Sequence, residues 1–258
     1  MPTAASEHPT PYTVLNPTGR ANIVITCDHA SRATPADLGT LGIGEAEICR
    51  HIGWDIGAAD IARWLSSSLD APAVLAGVSR LVIDCNRHLT DPNSIPAASD
   101  GVSIPANANI SEAERKARQD RWYWPYHVAV GQIVRERLSA SPVIVSVHSM
   151  TDQMRGQFRP WEIALSSDQG RRLTNPVLAA LNLVPGLTVG DNEPYNLDPA
   201  EDFSTPTHAL QFGLHHVQVE FRQDLVGTRE GAERYAAIFA DALVQGLNAI
   251  GREASGHA

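Results

Sequence analysis

The chain has 258 residues, of which 43% are hydrophobic and 19% charged. That is a globular profile, with apolar material for a sizeable core at a length one α/β unit can reach. The formal net charge is -9 and there are three cysteines. The acidic balance argues against nucleic-acid partners, and three cysteines without a C-x-x-C pair argue against a disulfide framework and for a cytoplasmic chain.

Residues 1–20, rich in Pro, Thr and Ser, are expected on the surface and lack the basic start and apolar core of a signal peptide. ANIVITCDHAS (21–31) reads as a strand that turns polar at its end. Residues 45–69 carry apolar residues at helical spacing, interrupted by Gly53 and Gly57. That predicts a loop around 51–55 and a helix over 56–68. APAVLAG (71–77) and SRLVIDCNR (79–87) read as strands. Residues 88–110, rich in Pro, Asn, Ser and Gly, read as a long loop of the kind that carries function.

Ser111-x-x-Glu114 is a capping signature that opens a helix over 111–140, with a break or kink at Pro125. SPVIVSVHS (141–149) reads as a buried strand, and 150–160 as a polar, Arg-bearing loop. A strand over 161–166, a helix over 168–182 and a loop containing GDNEPYN (190–196) follow. A strand over 215–223 and an amphipathic helix over 231–251 complete the chain. No apolar run exceeds strand length, so no membrane partner is expected. The alternation predicts a single domain, a three-layer α/β/α sandwich around a mixed, mostly parallel sheet.

The chemistry lies where apolar strands end, which is where open α/β sheets bind ligands. One candidate strand ends in Asp28-His29, another in His148-Ser149. A third carries Glu220, Arg222 and Asp224, and a fourth ends in Asp84, Asn86 and Arg87. Two histidines at different strand ends make a metal pair, since neutral imidazole is a common zinc ligand and a catalytic zinc takes three protein ligands. The third would be a carboxylate. Asp55 is the first candidate and Asp28 the alternative, ranked lower because its side chain diverges from that of its neighbour His29 in a continuing strand. Asp55 reads equally well as the N-cap of the helix that follows it. The other histidines read as ordinary hydrogen-bonded residues.

TCDHAS (26–31), HIGWDIGAADIARWL (51–65), APAVLAGVSRLVIDCNR (71–87), SDGVSIPAN (99–107), PYH (125–127), SVHS (146–149), RPW (159–161), GDNEPY (190–195) and VEFRQDL (219–225) run in order along most of the chain. In these segments the sequence resembles the N-formylglutamate amidohydrolases. That resemblance implies a phosphorylase/hydrolase-like, zinc carboxypeptidase-like scaffold. It also implies zinc held by two histidines and a carboxylate, an Asn-Arg pair on a substrate carboxylate and a late Glu that activates water. His29 and His148 match the two histidines, Asn86-Arg87 the Asn-Arg pair and Glu220 the general base. The carboxypeptidase pattern puts its Glu ligand three residues after the first His; Arg32 stands there instead. Asp55 is therefore inferred rather than matched.

The implied activity is hydrolysis of an N-formyl or other N-acyl amino acid, a small anionic substrate. Arg80, Asn86 and Arg87 are expected to bind it, with Arg155, Arg159 and Arg222 as further cationic candidates. Tyr195 is expected to donate to the developing oxyanion. Other divalent metals suit the same ligands, and a homo-oligomer is left open. The alternatives are a related metal hydrolase acting on another amide, such as a cell-wall peptide, or a non-catalytic small-anion binding protein. A serine hydrolase using Ser31 or Ser149 is disfavoured by the lack of a G-x-S-x-G elbow.

Overall fold

The computed structural model describes residues 9–168 and 170–255. Seven strands form one sheet: β1 Tyr12–Leu15, β2 Ile23–Cys27, β3 Ala73–Ala76, β4 Val143–Met150, β5 Ile163–Ser166, β6 Val189–Asp191 and β7 His216–Arg222. Their spatial order is β1-β3-β2-β4-β7-β5-β6. The central four, β3, β2, β4 and β7, run parallel. β1 is antiparallel at one edge, while β5 and β6 run antiparallel to β7 at the other. The expected mixed, mostly parallel sheet is found.

Alternation along β4 shows why both faces are covered. Val143, Val145 and Val147 join one apolar cluster with the helices Ala58–Ser68, Thr174–Asn182 and Arg229–Ser255. Ile144 faces the other way, onto Val130 and Val134 of the helix Trp124–Arg137. A strand buried on both faces reads as a continuous apolar run, as β2 and β4 do. On the second face the apolar series stops before Ser146 and His148, so polar side chains enter the interior at the carboxyl end of β4.

The capping box at Ser111 and Glu114 is present. The helix it opens breaks into a π turn at Gln119–Tyr123, and Pro125 lies in the first turn of Trp124–Arg137. Pro125 has no N–H to return to the preceding turn, which fits a disruption at this point.

The strand expected over 79–87 is not formed. Those residues turn repeatedly, and Ser79 Oγ donates to the Gly53 carbonyl at 2.7 Å. Leu81, Val82 and Ile83 bury in a separate cluster with Ile52, Ile104 and Trp122. Their hydrophobicity reflects that packing, not a place in the sheet. β1, inside the expected surface segment, and β6, inside an expected loop, are strands the reading missed; both are short edge strands. The first eight residues lie outside the described ones. The predicted loops at 88–110 and 150–160 each carry a short hairpin, Ala98–Ser99 with Val102–Ser103 and Gln153–Met154 with Gln157–Phe158. The helix predicted over 168–182 begins at Thr174, and the last helix spans Arg229–Ser255. Among the described residues, no helix is long and apolar enough to cross a membrane.

Candidate metal centre and active-site cavity

His29 follows the carboxyl end of β2, and Asp55 sits in the turn before the helix Ala58–Ser68. The Asp55 N–H donates to the His29 carbonyl at 3.0 Å, which ties the two segments together. The turn closes through Gly57 at φ 83°, where a Cβ would meet the Val226 carbonyl oxygen at 2.3 Å. Gly57 is the N-cap, with no side-chain cap hydrogen bond. The Asp55 carboxylate is directed elsewhere: its Oδ2 accepts from the Ser149 N–H at 3.1 Å and lies 3.1 Å from His148 Nδ1 and 3.4 Å from His29 Nδ1.

One ligand atom from each of His29, Asp55 and His148 lies within 4.8 Å of the others, and all three residues are buried. His29 Nδ1 has no hydrogen-bond partner. Two imidazole nitrogens and a carboxylate form a donor set that suits zinc and other divalent ions, and a buried nitrogen without a partner is what such an ion would satisfy. These residues therefore fit a metal.

The far ring nitrogens are also provided for. His29 Nε2 is 2.7 Å from Asp84 Oδ1, and His148 Nε2 is 3.5 Å from Asp28 Oδ2. An ionised carboxylate only accepts, so each Nε2 can donate outward; with the Asp55 carboxylate engaged by a metal, each Nδ1 would be left to ligate beside it. Asp84 in turn accepts from Arg80 Nε and Nη2, at 3.0 and 2.7 Å, and from the Asn86 N–H at 2.8 Å.

Burial raises the carboxyl pKa values here, but the neighbouring groups outweigh it at three of them. His148 and His29 bring Asp28 down to about 2. Asp55, beside the same histidines, and Asp84, beside Arg80, are held below the usual range. Burial lowers His29, as does Arg80, yet Asp84 and Asp55 bring it above its ordinary value. His148 is raised in the same way by Asp28 and Asp55. Glu220 is the exception. Burial pushes it up to about 7, opposed by His148 and reinforced by Asp55.

A cavity of about 690 Å³ opens over this group, with Glu220 in its lining. Arg80, Asn86, Arg87, Arg155 and Tyr195 also line it; Arg159 and Arg222 do not. All three Arg80 nitrogens are committed, Nε and Nη2 to Asp84 and Nη1, at 3.5 Å, to Asp55. Asn86 Nδ2 donates to Asp202 at 2.9 Å, and its Oδ1 accepts from the Phe203 and Ser204 N–H groups. Arg87 pairs with Asp202 at 3.2 Å. Arg159 lies over the Tyr195 ring, 4.9 Å from its centroid. Arg222 bonds Asp224 and the Arg159 and Pro160 carbonyls. Arg155 is exposed, at the tip of the 153–158 hairpin, and pairs with no carboxylate among the described residues. Ser149 Oγ donates to the Ile56 carbonyl and Ser31 Oγ accepts from the Ala33 N–H, so neither is arranged as a nucleophile.

Several residues of the site escaped the sequence reading. Asp84 is prominent in its motif, but nothing in the spacing pairs it with His29, 55 positions away. Tyr126 lies within PYH (125–127), but nothing there points to Asp28, and Asp202 and Ser204 lie in none of the matched segments.

A mixed α/β sheet with a buried His/Asp/His group at the carboxyl end of its central parallel strands, and a carboxylate beside it in the lining of a cavity, defines a hydrolase-like α/β chain with a candidate metal centre. The sequence model of the N-formylglutamate amidohydrolases matches residues 21–227, and the chain belongs to that family. A crystal structure of a gene product from Agrobacterium tumefaciens is similar at a TM-score of 0.88 and 35% identity, over 95% of this chain and 97% of that one. N-formylglutamate amidohydrolase from Ralstonia eutropha JMP134 is similar in fold, with a TM-score of 0.66 and 24% identity over 96% of this chain and 99% of that one. No curated protein matches the chain.

Proposed function

We propose that the chain is a zinc-dependent amidohydrolase that cleaves the amide bond of an N-formyl or other N-acyl amino acid, such as N-formylglutamate. The observation that carries this reading is the convergence of His29 Nδ1, His148 Nδ1 and the Asp55 carboxylate beneath a cavity that also holds Glu220. A zinc ion held by these three supplies Lewis acidity to the scissile carbonyl and makes water a better nucleophile near neutral pH.

The chain's own residues do the rest. Glu220 takes a proton from the attacking water and passes it to the leaving amine nitrogen, so the same carboxylate ends the cycle as it began. Its place on β7, beside His148 on β4, sets it next to the metal ligands. Tyr195 donates its hydroxyl to the oxygen on which negative charge develops, and Arg159 against its ring holds it in place. Arg155, a guanidinium lining the cavity with no ion pair among the described residues, is the carboxylate anchor. Arg80 balances Asp84 and Asp55. Burial of the floor excludes bulk water and strengthens each of these interactions.

The test is a hydrolysis screen of N-formyl, N-acetyl and N-carbamoyl amino acids with zinc-loaded protein and a chelator control. Turnover that the chelator removes and zinc restores supports the reading. Turnover of another acyl-amino acid with N-formylglutamate inert keeps the amidohydrolase and removes that substrate. A zinc-loaded protein inert to the whole panel overturns the proposed activity.

A further inference from the structure

We infer that Tyr126 and Ser204 are positioning residues of the metal site, acting through Asp28 on the ligand His148. The inference rests on the metal-site reading above and concerns how one ligand is oriented.

Asp28 is 1% exposed, and its two oxygens have different surroundings. Oδ1 accepts from the Tyr126 hydroxyl at 2.5 Å and from Ser204 Oγ at 2.8 Å. Oδ2 has no hydrogen-bond partner and lies 3.5 Å from His148 Nε2. Two hydroxyls on one oxygen stop the carboxylate from turning about its Cβ–Cγ bond. Oδ2 is thereby held toward His148. Ser146 Oγ, 3.1 Å from the same Nε2, does not specify a tautomer, because a hydroxyl can donate or accept. The anion favours the proton on Nε2, so that with the Asp55 carboxylate engaged by the metal the Nδ1 lone pair would be left to it as well.

The other ligand shows what is distinctive here. Asp84, behind His29, is held by the Arg80 guanidinium, which also offsets its charge. The hydrogen bonds to Asp28 come from neutral hydroxyls, which fix its geometry and leave its charge to act on His148. Those hydroxyls come from distant parts of the chain. Tyr126 lies on the helix Trp124–Arg137 and Ser204 opens the helix Ser204–His208. The Ser204 N–H is itself held by Asn86 Oδ1 at 3.0 Å.

The experiment measures zinc affinity by chelator competition in the full chain, with the visible spectrum of the cobalt-substituted protein as a second readout. The variants are Tyr126→Phe and Ser204→Ala. Tyr235→Phe is the control, since its hydroxyl donates to a different carboxylate, Glu162, at 2.8 Å. Loss of a group that contacts a ligand directly, as Asp28 contacts His148, typically costs about 10- to 100-fold in metal affinity, which bounds the effect of groups one contact further out. We expect a weakened affinity within that bound in both test variants, with a shifted cobalt spectrum, and no change in the control. Wild-type affinity and an unchanged spectrum in Tyr126→Phe and Ser204→Ala overturn the inference while leaving the metal site in place. If Tyr126→Phe does not fold, Ser204→Ala decides alone. A wild-type chain that binds zinc no better than His148→Ala overturns the metal-site reading, and this inference with it.

Discussion

Glu220 and His148 are register partners across the parallel pair β7 and β4. Side chains at such positions rise on the same face of a sheet, so the proposed base and a proposed metal ligand are set side by side by backbone pairing. No loop intervenes to blur their separation. The neighbouring antiparallel pairing places Ala164 of β5 opposite Glu220 on its other side, and a methyl group there leaves the carboxylate room to face the cavity.

Glu220→Gln keeps the shape and removes the proton acceptor. It should bind zinc with wild-type stoichiometry and lose about 10²- to 10⁴-fold in kcat, the usual range for general acid–base catalysis, with KM little changed. Metal analysis beside steady-state kinetics checks this. Near-full turnover removes Glu220 from the mechanism.

The Asp55 carboxylate does not cap the helix; it meets both histidines and the Ser149 N–H. Asp55→Asn should therefore lower zinc occupancy sharply. The helix Ala58–Ser68 should persist, because Gly57 and not Asp55 caps it. Equilibrium dialysis against zinc, with far-ultraviolet circular dichroism on the same samples, separates ligand from cap. Retained zinc with lost helicity is the opposite result.

β2, the first half of β4 and both histidines were legible because burial on two faces writes an apolar run that gives way to polar residues. The segment 79–87 was misread for the same reason: Leu81, Val82 and Ile83 are as apolar as a strand, but they bury in a cluster outside the sheet. Local sequence does not say what a buried residue is buried against. The arginines expose a second limit. Arg222 and Arg155 look alike in sequence, yet one is engaged by Asp224 and two carbonyls while the other is exposed on its hairpin at the cavity. Composition identifies cations; pairing, which is tertiary, decides which remain available to a ligand.

A buried imidazole pair gives the fold an acid limit. His127 Nε2 meets the Cys85 carbonyl at 2.9 Å, so it is the donor, and Nδ1 must accept from His208 Nε2 at 3.1 Å. Protonating His127 would set donor against donor. Burial lowers both pKa values, that of His127 to about 3 with His208 contributing, and that of His208 to about 4. Both lie below the unfolded value of about 6.5, so the unfolded chain binds more protons than the native one beneath that pH. The stability they allow is full above pH 6.5 and is lost as pH falls toward 4, at about 1.4 kcal/mol per pH unit for each histidine. In His208→Gln, whose amide can still donate to His127, urea unfolding between pH 5 and 6.5 should lose about one proton from the pH slope. An unchanged slope contradicts the assignment.

Asn86 and Arg155 both line the cavity, and the structure separates their roles. Every polar atom of the Asn86 side chain bonds within the protein, to Asp202 and to the Phe203 and Ser204 N–H groups. Asn86→Ala should cost about 1–3 kcal/mol in unfolding free energy, because it leaves buried donors unmet, and should change KM little where the variant is folded. Arg155, exposed on its hairpin, should behave oppositely. Arg155→Ala should unfold like wild type and raise KM about tenfold or more at constant kcat, the result of losing a charge-assisted bond made equally to substrate and transition state. Urea titration and steady-state kinetics on both variants decide the matter. A large KM effect in Asn86→Ala, with none in Arg155→Ala, would move the carboxylate anchor back to the Asn-Arg pair.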